Sequence, residues 1–331
     1  MAKKVTIYSI AEELGYTPSM VSRALSENGK VSEDKRKKVI ELAQKYNFVP
    51  NKFAARMSKD EIKIGCIIVT RTKRIEEEIK TGFNKAFFNL CDYKIFYEVI
   101  TVNFCCNPDD EKELESALIK FEKFDGIIIS GMGDKRFTEI LKKFKLPRLV
   151  FLQTLNEEIA YLFASKHNEC LAAQCAADFL FSAKCKNVFL FTGNQSSTLH
   201  FNAMNSFLKS AKFNVKGVFD MHDDEEYLKQ NVERFITDDI DGIYITSGNS
   251  ISLCEYLRNT SNKVTLVCTD LYKELAQYFF DNVIDMTIDQ DIPGQAYFAF
   301  YGLCMNILKG QFVEKHSYTD FKLKTKSMIE V

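Results

Sequence analysis

Apolar and polar positions divide the chain into a short stretch of helical pattern and a long stretch where strand and helix patterns take turns. Ile7, Ile10, Ala11 and Leu14 share one helical face, with Thr6 placed to cap it. Gly15 tolerates left-handed geometry and ends that helix. Thr17-Pro18 starts another, the threonine capping and the proline standing at the first helical position, where a missing N–H costs nothing. This second helix runs to about Leu25, with Met20, Val21 and Ala24 turned inward. Ser32, followed by Glu33 and Asp34, opens a third that ends near Tyr46-Asn47 and turns Val39, Leu42, Ala43 and Tyr46 inward. Two short helices around a tight turn, braced by a third, predict a helix-turn-helix head; a generic three-helix bundle is the alternative.

From Ile62 the pattern changes. Residues 64–69 read as a buried strand, 76–90 as a helix, 93–102 as a strand, 114–121 as a helix and 126–130 as a strand. The cadence restarts after about residue 165: helix over 171–181, strand over 188–192, helix over 202–211, strand over 242–246. The segments 124–130 and 240–246 share Asp-Gly before an apolar run, which hints at pseudo-duplication. Alternating strands and helices predict parallel sheets covered on both faces, with a ligand cleft at the carboxyl ends of the strands. The apolar run 292–308 holds Pro293, Gly294, Gln295 and Asn306 and reads as a buried helix, not a membrane span.

Composition sharpens this picture. In 331 residues, 46% hydrophobic and 27% charged, the chain is an ordinary globular one, and 5 Pro and 14 Gly argue against long linkers. Net charge is −1, but residues 1–60 carry 12 Lys and Arg against 7 Asp and Glu, so the head suits a polyanion and the body does not. The ten cysteines lie mostly in apolar runs with no CxxC pair and are expected to be reduced core thiols; vicinal Cys105-Cys106 is the candidate for redox chemistry. An amino terminus without an apolar signal region leads us to expect a cytoplasmic address.

Residues 5–15, then Ser19-Met-Val-Ser-Arg-Ala-Leu25, Val31-Ser32 and Tyr46-Asn-Phe-Val-Pro-Asn51 resemble the headpiece of the lactose/galactose-repressor family of bacterial transcription regulators. The resemblance implies that Pro18, Ser19 and Arg23 face bases in the major groove, where Arg23 offers a bidentate fork to guanine. Thr6, Ser22, Asn28 and Ser32 would meet phosphates, and Thr17 and Asn51 join them on the DNA face. In the family, the segment after Pro50 becomes helical when two copies pair on DNA and wedges a leucine into the minor groove. Here Met57 stands at that position, an apolar wedge of another shape, with Arg56 placed to reach phosphate or groove.

The body resembles, more loosely, the periplasmic-binding-protein-like domain of the same family, through Asp125-Gly126, Ala176-Ala177 with Leu180, residues 267–270 and residues 288–290 with Gly294 and Ala296. Carried over by position, the effector candidates are Thr70, Arg71 and Ser130 from the first lobe. Asn194, Ser247, Asn249 and Asp270 come from the second, with Gln290 at the crossover. Asp270 suits sugar hydroxyls as an acceptor, and Asn249 both donates and accepts. Many members carry an Arg-x-x-Gly-Phe pattern where this chain has Ala203 to Phe207, so a frequent hydroxyl or anion contact is missing; His200 or Asn202 is the expected substitute. The chain also lacks Trp to stack on a sugar face.

The sequence shows no GxxxxGK[ST], HExxH or GxSxG pattern, and the acidic run 220–226 reads as a solvated loop leading into a helix. The expected fold is a small all-α helix-turn-helix headpiece plus an α/β body of two doubly wound parallel-sheet lobes, periplasmic-binding-protein-like of type I. The expected domains are 1–49 (headpiece), 50–61 (hinge helix and linker) and 62–331 (effector binding and dimerisation). Within the body, the first lobe takes 62–164 and 290–318, and the second 165–289 and 319–331. The expected function is that of a homodimeric, sequence-specific DNA-binding repressor, not an enzyme, without cofactor or metal. It would bind a near-palindromic operator under control of a small polar metabolite, most simply a sugar or sugar derivative. A ligand-dependent activator or corepressor-type regulator has the same architecture. A solute-binding transport protein shares the body, but the basic head opposes it.

Overall fold

A computed structural model describes residues 7–25, 31–46, 61–70, 72–103, 108–131, 135–260 and 263–329. Two compact units meet in the chain at Asp60–Glu61. In the first, α1 (Ile7–Leu14) ends at Gly15, whose φ of +65° would strain any side chain. Thr17 caps α2 (Pro18–Ala24), its Oγ1 accepting the Met20 N–H at 3.3 Å, and α3 (Glu33–Lys45) carries Glu33 and Asp34 in its first turn. Ile10, Ala11, Val21, Ala24, Val39 and Ala43 form the core, with Leu14, Leu25, Val31 and Leu42 at its margin. Tyr46 departs from expectation. It is exposed, and its hydroxyl donates to Glu13 across the helices at 2.9–3.0 Å.

The second unit holds two six-stranded sheets. The first, all parallel, uses β1 (Ile62–Val69), β2 (Ile95–Val102), β3 (Gly126–Ser130), β4 (Arg148–Leu152), β5 (Phe163–His167) and, returning late, β11 (His316–Thr319), in the order 11-5-4-3-1-2. It is covered by α4 (Lys73–Asn89), α5 (Pro108–Phe121), α6 (Lys135–Leu141) and α12 (Ile292–Lys309). The second uses β6 (Asn187–Thr192), β7 (Asn214–Asp220), β8 (Gly242–Ile245), β9 (Thr265–Thr269), β10 (Met286–Asp289) and antiparallel β12 (Lys322–Lys324), in the order 12-10-9-8-6-7. Its helices are α7 (Glu169–Ser182), α8 (Thr198–Ser210), α9 (Glu225–Asn231), α10 (Ile251–Asn259) and α11 (Lys273–Phe280). Strands β1, β3 and β4 are buried almost throughout, as a sheet covered on both faces requires. Gly82 lets α4 lie against α12, since a Cβ there would overlap Pro293 and Ala296.

The two Asp-Gly segments occupy equivalent places. Each precedes the strand beside the sheet's first strand, β3 beside β1 and β8 beside β6. Asp125 accepts the Lys63 N–H at 2.8 Å; Asp241 accepts those of Lys186 and Asn187 at 2.8–2.9 Å. The aspartate thus caps the entry of the neighbouring strand in both lobes. The chain passes between the lobes three times, after β5, after β10 and after β11. Strand β5 runs through the boundary expected at residue 164.

The described cysteines carry free thiols, with Cys66, Cys185, Cys254, Cys268 and Cys304 buried; Cys105 and Cys106 lie outside the described residues. No helix among the described residues is long and apolar enough to cross a membrane. Asp241→Ala, which abandons two backbone N–H donors, should lower unfolding free energy by about 1–3 kcal/mol, and Asp125→Ala by less, both read from urea midpoints.

Candidate functional site

Parallel strands in both lobes deliver their carboxyl ends to one cleft, a cavity of about 240 Å³. The first lobe contributes Val69, Thr70, Thr72, Arg74, Ile75, Gln153 and Thr154. The second contributes Asn194, Ser197, Leu199, His200, His222, Asp223, Thr246, Ser247, Asn249 and Asp270, with Gln290 and Ile292 at a crossover. Gln153, His222, Asp223 and Asp270 hold positive φ of 54–67°. They are four of the seven such non-glycine residues among those described. Strain gathered this way marks a place where side-chain direction matters more than backbone comfort.

Two charge clusters define the walls. On the second lobe His200 Nε2 lies 3.2 Å from Asp223 Oδ2, and its Nδ1 lies 3.0 Å from Thr246 Oγ1. Asp223 also accepts the Ser247 hydroxyl at 2.8 Å and the Asn194 N–H at 3.1 Å, while Asn249 Nδ2 donates to its carbonyl at 2.7 Å. Burial opposes charge on both partners, but the pairing outweighs it: the His200 pKa is raised and Asp223 is held well below the usual carboxylate range.

The other cluster spans the cleft. Arg74, from α4 of the first lobe, places Nη2 3.7 Å from Asp270 Oδ2, which follows β9 in the second lobe. Its guanidinium lies 4.0 Å over the Tyr272 ring, and Nη1 is 3.1 Å from Glu78 Oε1. Burial pushes Asp270 up to about 6 and Glu78 to about 7, against the pull of Arg74. Tyr272 donates to the Gly248 carbonyl at 2.9 Å, fixing the ring beneath the guanidinium.

Thr70, Asn194, His200, Ser247, Asn249, Asp270 and Gln290 therefore come together at the cavity. Ser130 does not reach it; its hydroxyl, buried, donates to Gln153 at 2.9 Å and so steadies a residue that does. Asn202 is corrected outright: its amide donates to Glu169 at 3.0 Å instead of standing in for the missing arginine. Ala203 is buried in the lobe core. Arg71 lies outside the described residues. Sequence reasoning missed Arg74, Gln153 and Asp223. The run 220–226 does lead into α9, with Asp224 as its cap, but Asp223 turns inward and is not a solvated loop residue.

On the head, Thr17, Ser19, Arg23 and Ser32 are exposed and Pro18 is half-buried. Arg23 Nε donates to the Ser19 carbonyl at 3.3 Å, resting along α2. Ser22 lies on α2, its side chain outside the described residues, as are Thr6, Asn28, Asn51, Arg56 and Met57. Among the described residues no group of three or more ligating side chains could hold a metal ion.

Comparison with known proteins places this geometry. Residues 119–311 match the periplasmic binding protein domain, and residues 6–51 match the bacterial regulatory proteins of the lacI family. Catabolite control protein A of Priestia megaterium is 32% identical over 145 residues, 43% of this chain and 42% of that protein. The Streptococcus mutans protein of the same name is 30% identical over 129 residues, 38% of this chain and 37% of that one. The match thus spans about two fifths of these curated relatives. A carbohydrate transporter solute binding protein from Agrobacterium radiobacter, in complex with D-arabinose, superposes with a TM-score of 0.72 at 18% identity, covering 82% of this chain and 96% of that one. A glucose-galactose binding protein from Geobacillus stearothermophilus gives 0.70 at 16%, over 82% and 100%. These two share the fold.

The raised carboxyl at Glu78 has a measurable sign. The folded chain binds that proton more tightly than the unfolded one, so its contribution falls as pH rises from 4.5 to about 7 and is level above. Glu78→Gln should flatten this part of the stability profile in urea titrations; an unchanged slope would show that Glu78 ionises normally.

Proposed function

Because the chain carries a periplasmic binding protein domain over residues 119–311 and a head that matches the bacterial regulatory proteins of the lacI family over residues 6–51, we propose that it is a sequence-specific DNA-binding transcriptional regulator controlled by a small polar effector. The observation that carries this reading is the union, in one chain, of a helix-turn-helix whose α2 leaves Ser19 and Arg23 exposed with a two-lobed body closed around a polar cavity. The α2 helix enters the major groove by its amino-terminal end, with Pro18, Ser19 and Arg23 toward base edges. Thr6, Thr17, Ser22, Asn28, Ser32 and Asn51 face phosphate and sugar, and Met57 with Arg56 engages the minor groove at the operator centre. The protein acts in the cytoplasm as a homodimer, and a two-fold dimer requires a near-palindromic operator with two related half-sites. It represses transcription, and it needs no cofactor and performs no catalysis.

The effector is a carbohydrate or a close relative. It rests among Thr70, Asn194, His200, Ser247, Asn249, Asp270 and Gln290, and Arg71 is placed to join them. Support comes from the cavity's mixture of carboxylates, amides and hydroxyls and from the sugar complexes of proteins sharing the fold. Ligand held by both lobes sets the angle between them and, in a dimer, the spacing of the two hinge segments. A coupling of about 1–3 kcal/mol suffices for a several-fold to hundredfold change in DNA affinity.

Two measurements test the reading. Sedimentation and operator binding by fluorescence anisotropy should show a dimer that prefers a near-palindrome to random DNA at moderate salt. Arg23→Ala should then cost about 1–3 kcal/mol of discrimination; equal losses on specific and random DNA would remove Arg23 from base reading.

A further inference from the structure

The Arg74–Asp270 pair joins side chains that belong to different lobes. Their exposures of 18% and 7% leave little water to screen the attraction. The second-lobe half is fixed in place. The Asp270 N–H donates to the Ile288 carbonyl at 2.8 Å, and its own carbonyl accepts the Thr287 hydroxyl. The first-lobe half has a choice of partners. Arg74 Nη1 is 3.1 Å from Glu78 on the same helix, while Nη2 lies 3.7 Å from Asp270. Parting the lobes leaves Arg74 with Glu78, one helical turn away, but takes its charge from Asp270. Gly248 shapes the meeting point. A Cβ there would come within 2.4 Å of Asp270 Oδ2 and 2.7 Å of Arg74 Nη2. Its carbonyl accepts the Tyr272 hydroxyl, so the same glycine makes room for the two charges and anchors the ring beneath the guanidinium.

We propose that the Arg74–Asp270 pair is a built-in latch between the lobes, supplying part of the closing force from the chain's own side chains, with Gly248 as the gap through which it engages. A buried carboxylate deprived of its counter-charge has to take up water or a proton, and both reach it more easily when the cleft is open. Arg74 is released without being stranded, because Glu78 and the first lobe keep it. The latch therefore has two resting places for one guanidinium, across the cleft when the lobes are together and along α4 when they part. The closing force belongs to the chain, whichever ligand the cleft accepts.

The test is hydrogen-exchange mass spectrometry on the full chain. It reads opening at amides of both walls, residues 72–78 on the first lobe and residues 247–250 and 270–274 on the second. Arg74→Met should speed exchange several-fold on both walls. Gly248→Ala keeps both charges but pushes away the flexible tip of Arg74, and it should do the same. The two effects should not compound in the double variant, since each undoes one contact. Arg74→Lys keeps the charge and should fall between the unaltered chain and Arg74→Met. Exchange that is unchanged, or faster only on the wall that carries the substitution, overturns the latch. So does a double variant that opens by the product of the single effects. A lysine no better than methionine overturns the ionic origin of the force. Circular dichroism checks the folding of each variant; should Arg74→Met fail to fold, Gly248→Ala decides the question by the same two-wall criterion.

Discussion

A carboxylate taken out of water must find either a counter-charge or a proton, and Asp270 depends on both. It sits where β9 ends, in a strained backbone conformation, and its counter-charge arrives from the other lobe. Burial raises its pKa to about 6, and Arg74 pulls it back toward ionisation. The pairing therefore links the electrostatics of one lobe to the position of the other. Tyr272 gives the guanidinium a flat surface to rest on, and Glu78 fixes its other edge. Around this bridge the remaining polar groups fall into order. Asp223 with His200 forms a second pair confined to one lobe, and the amides and hydroxyls of Asn194, Ser247 and Asn249 surround it.

Much of this was legible in the sequence, and for definite reasons. Strands such as 126–130 and 188–192 are continuous apolar runs because both faces of their sheets are covered, and such runs announce themselves. The head was readable because capping threonine, first-turn proline and terminating glycine are local signals. Cleft residues at or near strand ends, such as Thr70, Asn194 and Asp270, come from the resemblance, carried over by position, and they lie where ligands meet parallel sheets, at the carboxyl ends of the strands.

The misses share a different cause. Arg74 lies on a helix, and nothing in its neighbourhood shows that its partner is nearly two hundred residues away on another lobe. Asp223 stands in an acidic run that reads as solvated, and its inward turn depends on a left-handed backbone no pattern reveals. Asn202 was assigned by proximity to a missing arginine, but one helical step carries its amide from the cleft to Glu169. Tyr46 was counted as core from helical spacing, although its hydroxyl is better served by Glu13 at the surface.

The three passages between the lobes carry a consequence of their own. Parallel links of this kind behave like the knuckles of a door hinge: they permit swinging about one line and resist shearing or twisting. Motion at the cleft is therefore channelled into a single coordinate.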